Sequence, residues 1–292
     1  MRFGIDVGGT KTEGVILDAE GREMLRERIP TDAAGYEPVL AGIERLYRRL
    51  ARAADDAPHT LGIGTPGAVS RRSGLLKNSN TTCLNGMPVG RDLRTRLGRE
   101  LAIENDANCF ALAEALAGAG RGHRVVFGVI LGTGCGGGVV IDGKVHGGLQ
   151  AIAGEWGHTV IDPAGPACYC GARGCVETFI SGSGLENRYA ERAGSRRPVD
   201  EIVAAWRAGD PAATAAMDDF FARFGRALAN LIAVLDPDVI VLGGGLSKID
   251  ELYARGVEEV RRRVFSDSLE TPIVKHRLGD SAGVIGAALV GI

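Results

Sequence analysis

Apolar residues near the start of the chain form two short runs on either side of a glycine-rich turn, a pattern typical of a β-hairpin. It predicts strands at residues 2–7 and 12–17, joined by a turn at 8–11, and a third strand at 23–29. Apolar positions then recur at helical spacing over residues 36–53, which predicts an amphipathic helix.

The hairpin pattern occurs a second time. FGIDVGGTKTEGVILD at residues 3–18 aligns without a gap with FGVILGTGCGGGVVID at residues 127–142, and six of the sixteen positions are identical. A repeated hairpin followed by helices and parallel strands indicates two related α/β domains with a cleft between them. We place the N-terminal lobe at residues 1–112 and the C-terminal lobe at residues 113–279.

Further elements follow from the same kind of pattern. Apolar runs predict strands at residues 59–64 and 101–105, and helical spacing predicts a helix at 106–118. Helical spacing returns after an irregular stretch, over residues 178–193, 198–208, 211–235 and 248–264. Strands are predicted within DVIVLGGG (238–245) and TPIVKHRL (271–278), and a last helix is predicted from residue 281.

Composition narrows the class of protein. The chain has 292 residues, of which 45% are apolar and 24% charged, as in a folded protein with room for two domains. A net charge of -2 provides no basic field for nucleic acid or an anionic membrane, so we expect neither partner. The start lacks a signal-peptide pattern, so a cytoplasmic location is expected and the six cysteines should be reduced thiols or metal ligands.

Glycine-rich turns can bind phosphate, because successive backbone N–H groups point into one concavity. Two such turns predict a nucleotide clamp, formed by Gly8, Gly9 and Thr10 in the first copy and by Gly132, Thr133 and Gly134 in the second. Only the first copy carries Asp6, which can hold hydrated Mg²⁺, and Lys11, which can neutralise phosphate oxygens.

A dinucleotide site is an alternative interpretation of the second turn. Gly132, Gly134 and Gly137 match the pattern G-x-G-x-x-G, which such sites share. That pattern should open a helix, whereas here the glycines lead into GVVID, which predicts a strand. An oxidoreductase that uses a nicotinamide cofactor is therefore the weakest of the alternatives.

The irregular stretch contains a metal-ligand pattern. His158, Cys168, Cys170 and Cys175 are spaced as H-x9-C-x-C-x4-C within residues 158–175. One imidazole and three thiolates form a typical tetrahedral set for structural Zn²⁺. The segment has few apolar residues to fix its shape, so the sequence predicts zinc here rather than free thiols.

Six motifs occur in order along the chain: DVGGTKTE, ENDANCFALAEA, LGTGCGGG, AGEWGH, CYCGARGCVETFISG and LDPDVIVLGGGLS. Together they resemble the ROK family of bacterial sugar kinases and sugar-responsive repressors, within the actin-like ATPase superfamily. The resemblance implies an α/β fold of the duplicated, actin-like (ribonuclease H-like) type. It also implies ATP and Mg²⁺, transfer of the γ-phosphoryl group to a hexose hydroxyl, a homodimer, and a C-terminal helix at about 280–292 that packs back on the N-terminal lobe.

The resemblance also implies roles for individual residues. Asp106 matches the catalytic base that accepts the proton of the sugar hydroxyl, although on sequence alone it could be an ordinary helix cap. The implied sugar contacts are Asn80, Asn105, Asp106, Glu155, His158 and Glu177. Gly243, Gly244 and Gly245 would let the adenosine approach the backbone closely.

The likeness within the family favours a bacterial fructokinase that forms fructose 6-phosphate. It rests on LKNSNTTCLNG (76–86), on the tail ETPIVKHRLGDSAGVIGAAL and on three of the shared motifs. ENDANCFALAEA and LGTGCGGG look equally like N-acetylglucosamine kinases, which are the alternative together with glucokinases. A sugar-responsive regulator without kinase activity is less expected, because the phosphate motif begins at Asp6 and leaves no room for a helix-turn-helix domain.

Overall fold

The computed structural model describes residues 1–291 of the chain. The strands are β1 (Arg2–Val7), β2 (Lys11–Leu17), β3 (Glu23–Pro30), β4 (Thr60–Thr65), β5 (Ala68–Val69), β6 (Leu76–Lys77), β7 (Ala102–Asn105), β8 (Val125–Leu131), β9 (Cys135–Ile141), β10 (Lys144–Val145), β11 (Val239–Gly243) and β12 (Ile273–Lys275). The helices are α1 (Tyr36–Ala53), α2 (Val89–Leu97), α3 (Asp106–Ala117), α4 (Glu177–Ile180), α5 (Gly182–Ala193), α6 (Val199–Arg207), α7 (Pro211–Leu235), α8 (Arg255–Arg261) and α9 (Ala282–Val290).

These elements form two compact units. The first comprises Met1–Gly118, Gly143–Ala153 and the C-terminal segment from Leu278, and the second comprises Ala119–Asp142 and Gly154–Arg277. The first unit therefore includes α9, which packs against α3, β1 and β4. The last residue of the predicted helix, Ile292, lies outside the described residues.

The first unit is built on a five-stranded sheet in the order β3-β2-β1-β4-β7. Strand β1 is antiparallel to β2 and parallel to β4, and β4 is parallel to β7. Helix α1 packs its apolar face, formed by Val39, Leu40, Ile43, Leu46 and Leu50, into the core of this unit. Because the carboxyl ends of parallel strands meet at one edge of a sheet, the residues that end β1, β4 and β7 lie near one another.

The second unit repeats this arrangement. Its strands β9, β8, β11 and β12 are neighbours in that order, with β8 antiparallel to β9 and parallel to β11. Helix α7 is 25 residues long and contributes Phe220, Phe221, Phe224 and Leu228 to the core. In residues 1–291, no helix combines the length and the apolar character needed to cross a membrane.

Some predicted elements differ from the observed ones. The helix predicted at 178–193 is divided at Ser181, whose hydroxyl caps α5 by accepting a hydrogen bond from the Gly184 N–H at 2.9 Å. The helix predicted at 248–264 is only the short α8, preceded by two turns of 3-10 helix at Gly245–Lys248 and Asp250–Tyr253. Helix α2 was not predicted from the sequence.

Helix α9 approaches the first sheet so closely that glycine is required at the contact. A Cβ atom added to Gly4 in β1 would overlap the carbonyl oxygen of Val284, and one added to Gly62 in β4 would overlap that of Ala287. On the helix, a Cβ added to Gly286 would overlap the backbone of Cys109 in α3. The helix is therefore in backbone contact with both the strands and α3.

We expect Gly62→Ala to lower the free energy of unfolding by about 3 kcal/mol or more, because a methyl group cannot be accommodated against a backbone carbonyl. Gly42→Ala in α1 is the matched control, since its added Cβ would meet only the Ile29 side chain at 3.9 Å. That control should be neutral or stabilise the protein by roughly 0.5–1 kcal/mol. Urea unfolding of both variants measures the difference, and equal stabilities would contradict the close packing.

Candidate active site

Asp6, the last residue but one of β1, lies in a space made by two glycines. A Cβ added to Gly64 in β4 would lie 3.0 Å from its Oδ1 atom, and one added to Gly283 in α9 would lie 2.8 Å from its Oδ2 atom. Any larger residue at Gly64 or Gly283 would press on this carboxylate. The close approach of α9 to the sheet therefore fixes the surroundings of Asp6.

Burial, together with the negative charges of Asp106 and Glu13, raises the pKa of Asp6 to about 7, although the positive charge of Lys11 acts in the opposite direction. Burial and nearby carboxylates also hold the pKa of the Cys109 thiol well above its usual value. A buried carboxylate is costly to ionise unless a positive charge lies beside it, so binding of a cation next to such a carboxylate is favourable. Asp6 could therefore hold Mg²⁺, either directly or through water.

The first glycine turn is closed by a hydrogen bond from the Gly8 N–H to the Lys11 carbonyl oxygen at 2.9 Å. Thr10 accepts a hydrogen bond from the Thr31 N–H at 3.0 Å, which holds the turn against β3. Gly9, Thr10 and Lys11 are exposed, so their polar groups are accessible to a ligand.

Asn105, and not Asp106, is the N-cap of α3. Its Oδ1 atom accepts hydrogen bonds from the N–H groups of Ala107 at 2.9 Å and Asn108 at 3.2 Å. Its Nδ2 atom donates to Oδ1 of Asp106 at 3.0 Å and to the carbonyl oxygen of Gly67 at 3.2 Å. The Ala107 N–H also donates to Oδ1 of Asp106 at 2.9 Å, so the orientation of this carboxylate is fixed on one side.

The turn of Gly67 and the loop that carries Asn80 lie against each other. Gly67 has φ +82°, and a Cβ added to it would lie 2.8 Å from the backbone nitrogen of Ser79. Asn85 holds the loop by two hydrogen bonds to the Ser79 backbone, each 2.8 Å long. The structure thus brings Asn105, Asp106 and the loop of Asn80 to one region of the first unit, with Asn80 exposed.

Two buried hydroxyl groups in this region were missed by sequence reasoning. Thr65 pairs with Asn105 across β4 and β7, and Thr81 lies in the loop of Asn80. Their side chains are 1% and 6% exposed, and neither hydroxyl oxygen has a hydrogen-bond partner among residues 1–291. Buried polar groups are normally paired, so these two hydroxyls are exceptions.

The second unit contains a cavity of about 790 Å³, a volume typical of small-molecule sites. Among the predicted nucleotide residues, Gly132, Thr133 and Gly245 line it, whereas Gly134, Gly243 and Gly244 do not. Its other lining residues are Gly182, Ser183, Glu186, Arg196, Val199, Asp200, Val203, Ala204, Arg207, Leu246, Lys248 and Ile249. Most of these lie on α5 and α6, and all except Gly182 and Leu246 lie outside the motifs found in the sequence.

The cavity combines an apolar wall with a charged rim. Val199, Val203, Leu246 and Ile249 form the apolar part, which suits the flat face of an aromatic base. Arg196 donates to Glu186 at 2.7 Å on the rim. The glycine turn at one end of this cavity offers the backbone N–H groups that phosphate prefers.

Glu177 lies at the second glycine turn. Its Oε2 atom accepts a hydrogen bond from the Cys135 N–H at 2.9 Å. Burial, and then the charge of Glu177, hold the pKa of the Cys135 thiol well above its usual value. The other predicted glutamate, Glu155, precedes the 3-10 turn Trp156–His158, which is joined to β9 by a hydrogen bond from Trp156 Nε1 to the Gly136 carbonyl oxygen at 3.0 Å.

The four predicted zinc ligands come together. The ligand atoms of His158, Cys168, Cys170 and Cys175 all lie within 4.8 Å of one another. The Cys170 and Cys175 sulfur atoms are 3.6 Å apart, close to the spacing of about 3.8 Å expected for two thiolates on one tetrahedral Zn²⁺. Nδ1 of His158 faces the Cys168 sulfur at 3.5 Å, while its Nε2 faces the Tyr169 hydroxyl at 2.9 Å. The donor set therefore fits zinc.

The comparisons with known proteins agree along the whole chain. The model of the ROK family matches residues 2–291. An N-acetyl-D-glucosamine kinase of Pasteurella multocida is 39% identical over 99% of this chain and 98% of its own. The N-acetylgalactosamine kinase AgaK of a Shewanella species is 38% identical over 100% of this chain and 96% of its own. The structure of a ROK family glucokinase from Streptomyces griseus, in complex with glucose and AMPPNP, is 30% identical, has a TM-score of 0.81 and matches 99% of this chain and 98% of its own.

These findings confirm the predicted actin-like α/β fold and the predicted family. They do not confirm the predicted likeness to fructokinases, since the relatives above are named for N-acetylated hexoses. The chain therefore belongs to the ROK family and is an ATP-dependent sugar kinase of that family.

Proposed function

We propose that this kinase phosphorylates an N-acetylhexosamine, with N-acetylglucosamine as the first candidate. The observation that carries the proposal is the full-length likeness to relatives named N-acetyl-D-glucosamine kinase and N-acetylgalactosamine kinase. The interpretation of residues 76–86 as a fructokinase segment has no such support. N-acetylglucosamine, which the sequence suggested as the alternative, is therefore preferred over fructose.

Asp106 is the proposed catalytic base. A sugar hydroxyl is a weak nucleophile, and its proton must be accepted as the phosphoryl group is transferred. The Asn105 amide and the Ala107 N–H donate to one oxygen of the Asp106 carboxylate, which orients the group. Asn80 and Asn105 are proposed to contact other hydroxyl groups of the sugar. For Asn105 this requires the exchange of one of the four hydrogen bonds that its amide makes in the structure.

The hydroxyls of Thr65 and Thr81 support an acetamido-bearing sugar. An acetamido group presents one carbonyl acceptor and one N–H donor, and a threonine hydroxyl can pair with either. Both hydroxyls are buried without a partner among residues 1–291, in the same unit as Asn105 and Asp106. Pairing with the ligand would remove the cost of leaving them unsatisfied, and it requires a local movement that uncovers the two oxygens.

Each of the two glycine turns is proposed to bind phosphate within its own unit. In the first unit Gly8, Gly9, Thr10 and Lys11 would contact phosphate oxygens, and Asp6 would hold Mg²⁺, which neutralises phosphate charge when bound. In the second unit Gly132, Thr133 and Gly134 would contact phosphate, and the cavity of about 790 Å³ beside them would take the adenosine near Gly243, Gly244 and Gly245.

Zinc is proposed to fix the shape of residues 158–175. The segment has few apolar residues, and four ligands tied to one ion would replace the missing core. Because His158 is itself a ligand and Glu155 begins the adjoining turn, the ion would also position these two proposed sugar contacts. Its proposed role is structural, since all four positions of a tetrahedral ion are taken by protein.

Asp106→Asn should lower kcat by on the order of 10²–10⁴-fold, because general-base catalysis is lost. The dissociation constant for the sugar and the melting temperature should change little, since asparagine keeps the size of the side chain and an oxygen that can accept the hydrogen bonds from Asn105 and Ala107. Asp55→Asn, an exposed position, is the matched control and should keep wild-type kcat. A kcat for Asp106→Asn close to that of the wild type would show that Asp106 is not the base.

Purified protein should contain about one zinc ion per chain, and Cys170→Ser should lose it, because the tetrahedral set is broken. Loss of zinc should weaken sugar binding through displacement of His158. Cys83→Ser is the matched control, since Cys83 is not among the clustered ligands and should keep full metal content. Elemental analysis and calorimetry measure the two effects, and active wild-type protein with little zinc would contradict the proposal.

Steady-state kinetics at saturating MgATP should give a kcat/KM for N-acetylglucosamine that exceeds that for glucose by on the order of 10²-fold or more. Glucose is the matched substrate, because it differs only in carrying a hydroxyl in place of the acetamido group and would leave polar groups of the site unpaired. Fructose should be a poorer substrate still. A higher kcat/KM for fructose would restore the fructokinase interpretation.

A further inference from the structure

The segment from Glu177 to Ser183 holds the second glycine turn at both ends. At one end, the Glu177 carboxylate accepts the Cys135 N–H at 2.9 Å. At the other, the Gly182 N–H donates to the Gly132 carbonyl oxygen at 2.7 Å and the Ser183 N–H donates to the Thr133 carbonyl oxygen at 3.3 Å. Three hydrogen bonds therefore tie the turn to the region where α4 meets α5.

These hydrogen bonds determine the direction of the N–H groups in the turn. In a planar trans peptide, the C=O of one residue and the N–H of the next point in opposite directions. The carbonyls of Gly132 and Thr133 point toward the start of α5, so the N–H groups of Thr133 and Gly134 point away from it. Two successive N–H groups with a common direction are what an anionic phosphate binds.

The fit between Glu177 and the turn leaves no room for a side chain. A Cβ atom added to Gly134 would lie 2.6 Å from Oε2 of Glu177. The turn is also closed internally by a hydrogen bond from the Gly132 N–H to the Gly134 carbonyl oxygen at 3.0 Å. The carboxylate is thus placed against the backbone of the turn even without a ligand.

We propose that Glu177 is a positioning residue for the nucleotide, because its carboxylate keeps residues 132–135 in the conformation that binds phosphate. This role differs from the sugar contact that the family likeness implies, and it rests on the proposed nucleotide site. The negative charge of Glu177 opposes phosphate binding, so only its capacity to accept the Cys135 N–H is useful. A neutral acceptor of the same length should serve equally well.

Binding of MgADP in the absence of sugar, measured by calorimetry, separates the two roles. Glu177→Ala should weaken MgADP binding by about tenfold, the effect of losing one hydrogen bond to a charged acceptor. Glu177→Gln should bind MgADP as tightly as the wild type or more tightly, because its side-chain carbonyl still accepts the Cys135 N–H. Hydrogen exchange at Cys135 should be faster in Glu177→Ala than in Glu177→Gln.

Glu155→Gln is the matched control, as a proposed sugar contact in the same unit, and it should leave MgADP affinity unchanged. The zinc content and the melting temperature of each variant show whether it has folded. If Glu177→Ala fails to fold, Glu177→Gln can still be tested for MgADP binding. Wild-type affinity for MgADP in Glu177→Ala, or equal losses in Glu177→Ala and Glu177→Gln, would overturn the inference. If the wild type failed to bind MgADP, the proposal of a nucleotide site would be contradicted instead.

Discussion

Backbone contact between α9 and the first sheet is the constraint on which the first unit depends. It requires glycine at Gly4 and Gly62 on the strands and at Gly286 on the helix. The chain enters α9 through Leu278, whose N–H donates to the buried Glu114 side chain of α3 at 2.9 Å. This contact brings the start of α9 against Asp6, and the burial that raises the pKa of Asp6 is the direct result.

In the second unit, residues 158–183 link three parts of the proposed site. The zinc ligands end at Cys175, α4 begins at Glu177, and α5 begins at Gly182. One short stretch therefore carries the proposed metal centre, the proposed sugar contact His158 and the residues that hold the glycine turn. A change in any of these parts should be transmitted along the backbone to the others, because few residues separate them.

The elements with local signals could be predicted from the sequence, and the contacts between distant residues could not. The repeated hairpin and the spacing of His158 and the three cysteines are periodic or local patterns, and the structure has both. The contact of Glu177 with Cys135 joins residues 42 positions apart and depends on how α4 packs on β9. The cavity walls on α5 and α6 and the buried hydroxyls of Thr65 and Thr81 also depend on tertiary packing, and so carry no motif. The identity of the sugar is difficult to predict for the same reason, since it depends on a few polar contacts in loops.

The most direct test of the account is a competition in one reaction. The protein is mixed with equal amounts of N-acetylglucosamine and fructose and with MgATP that is isotopically labelled in its γ-phosphate, and the products are separated by mass spectrometry. The account predicts that the label appears as N-acetylglucosamine monophosphate, because the site is proposed to pair with the acetamido group. Label found mainly in a fructose phosphate, or only in inorganic phosphate, would contradict it.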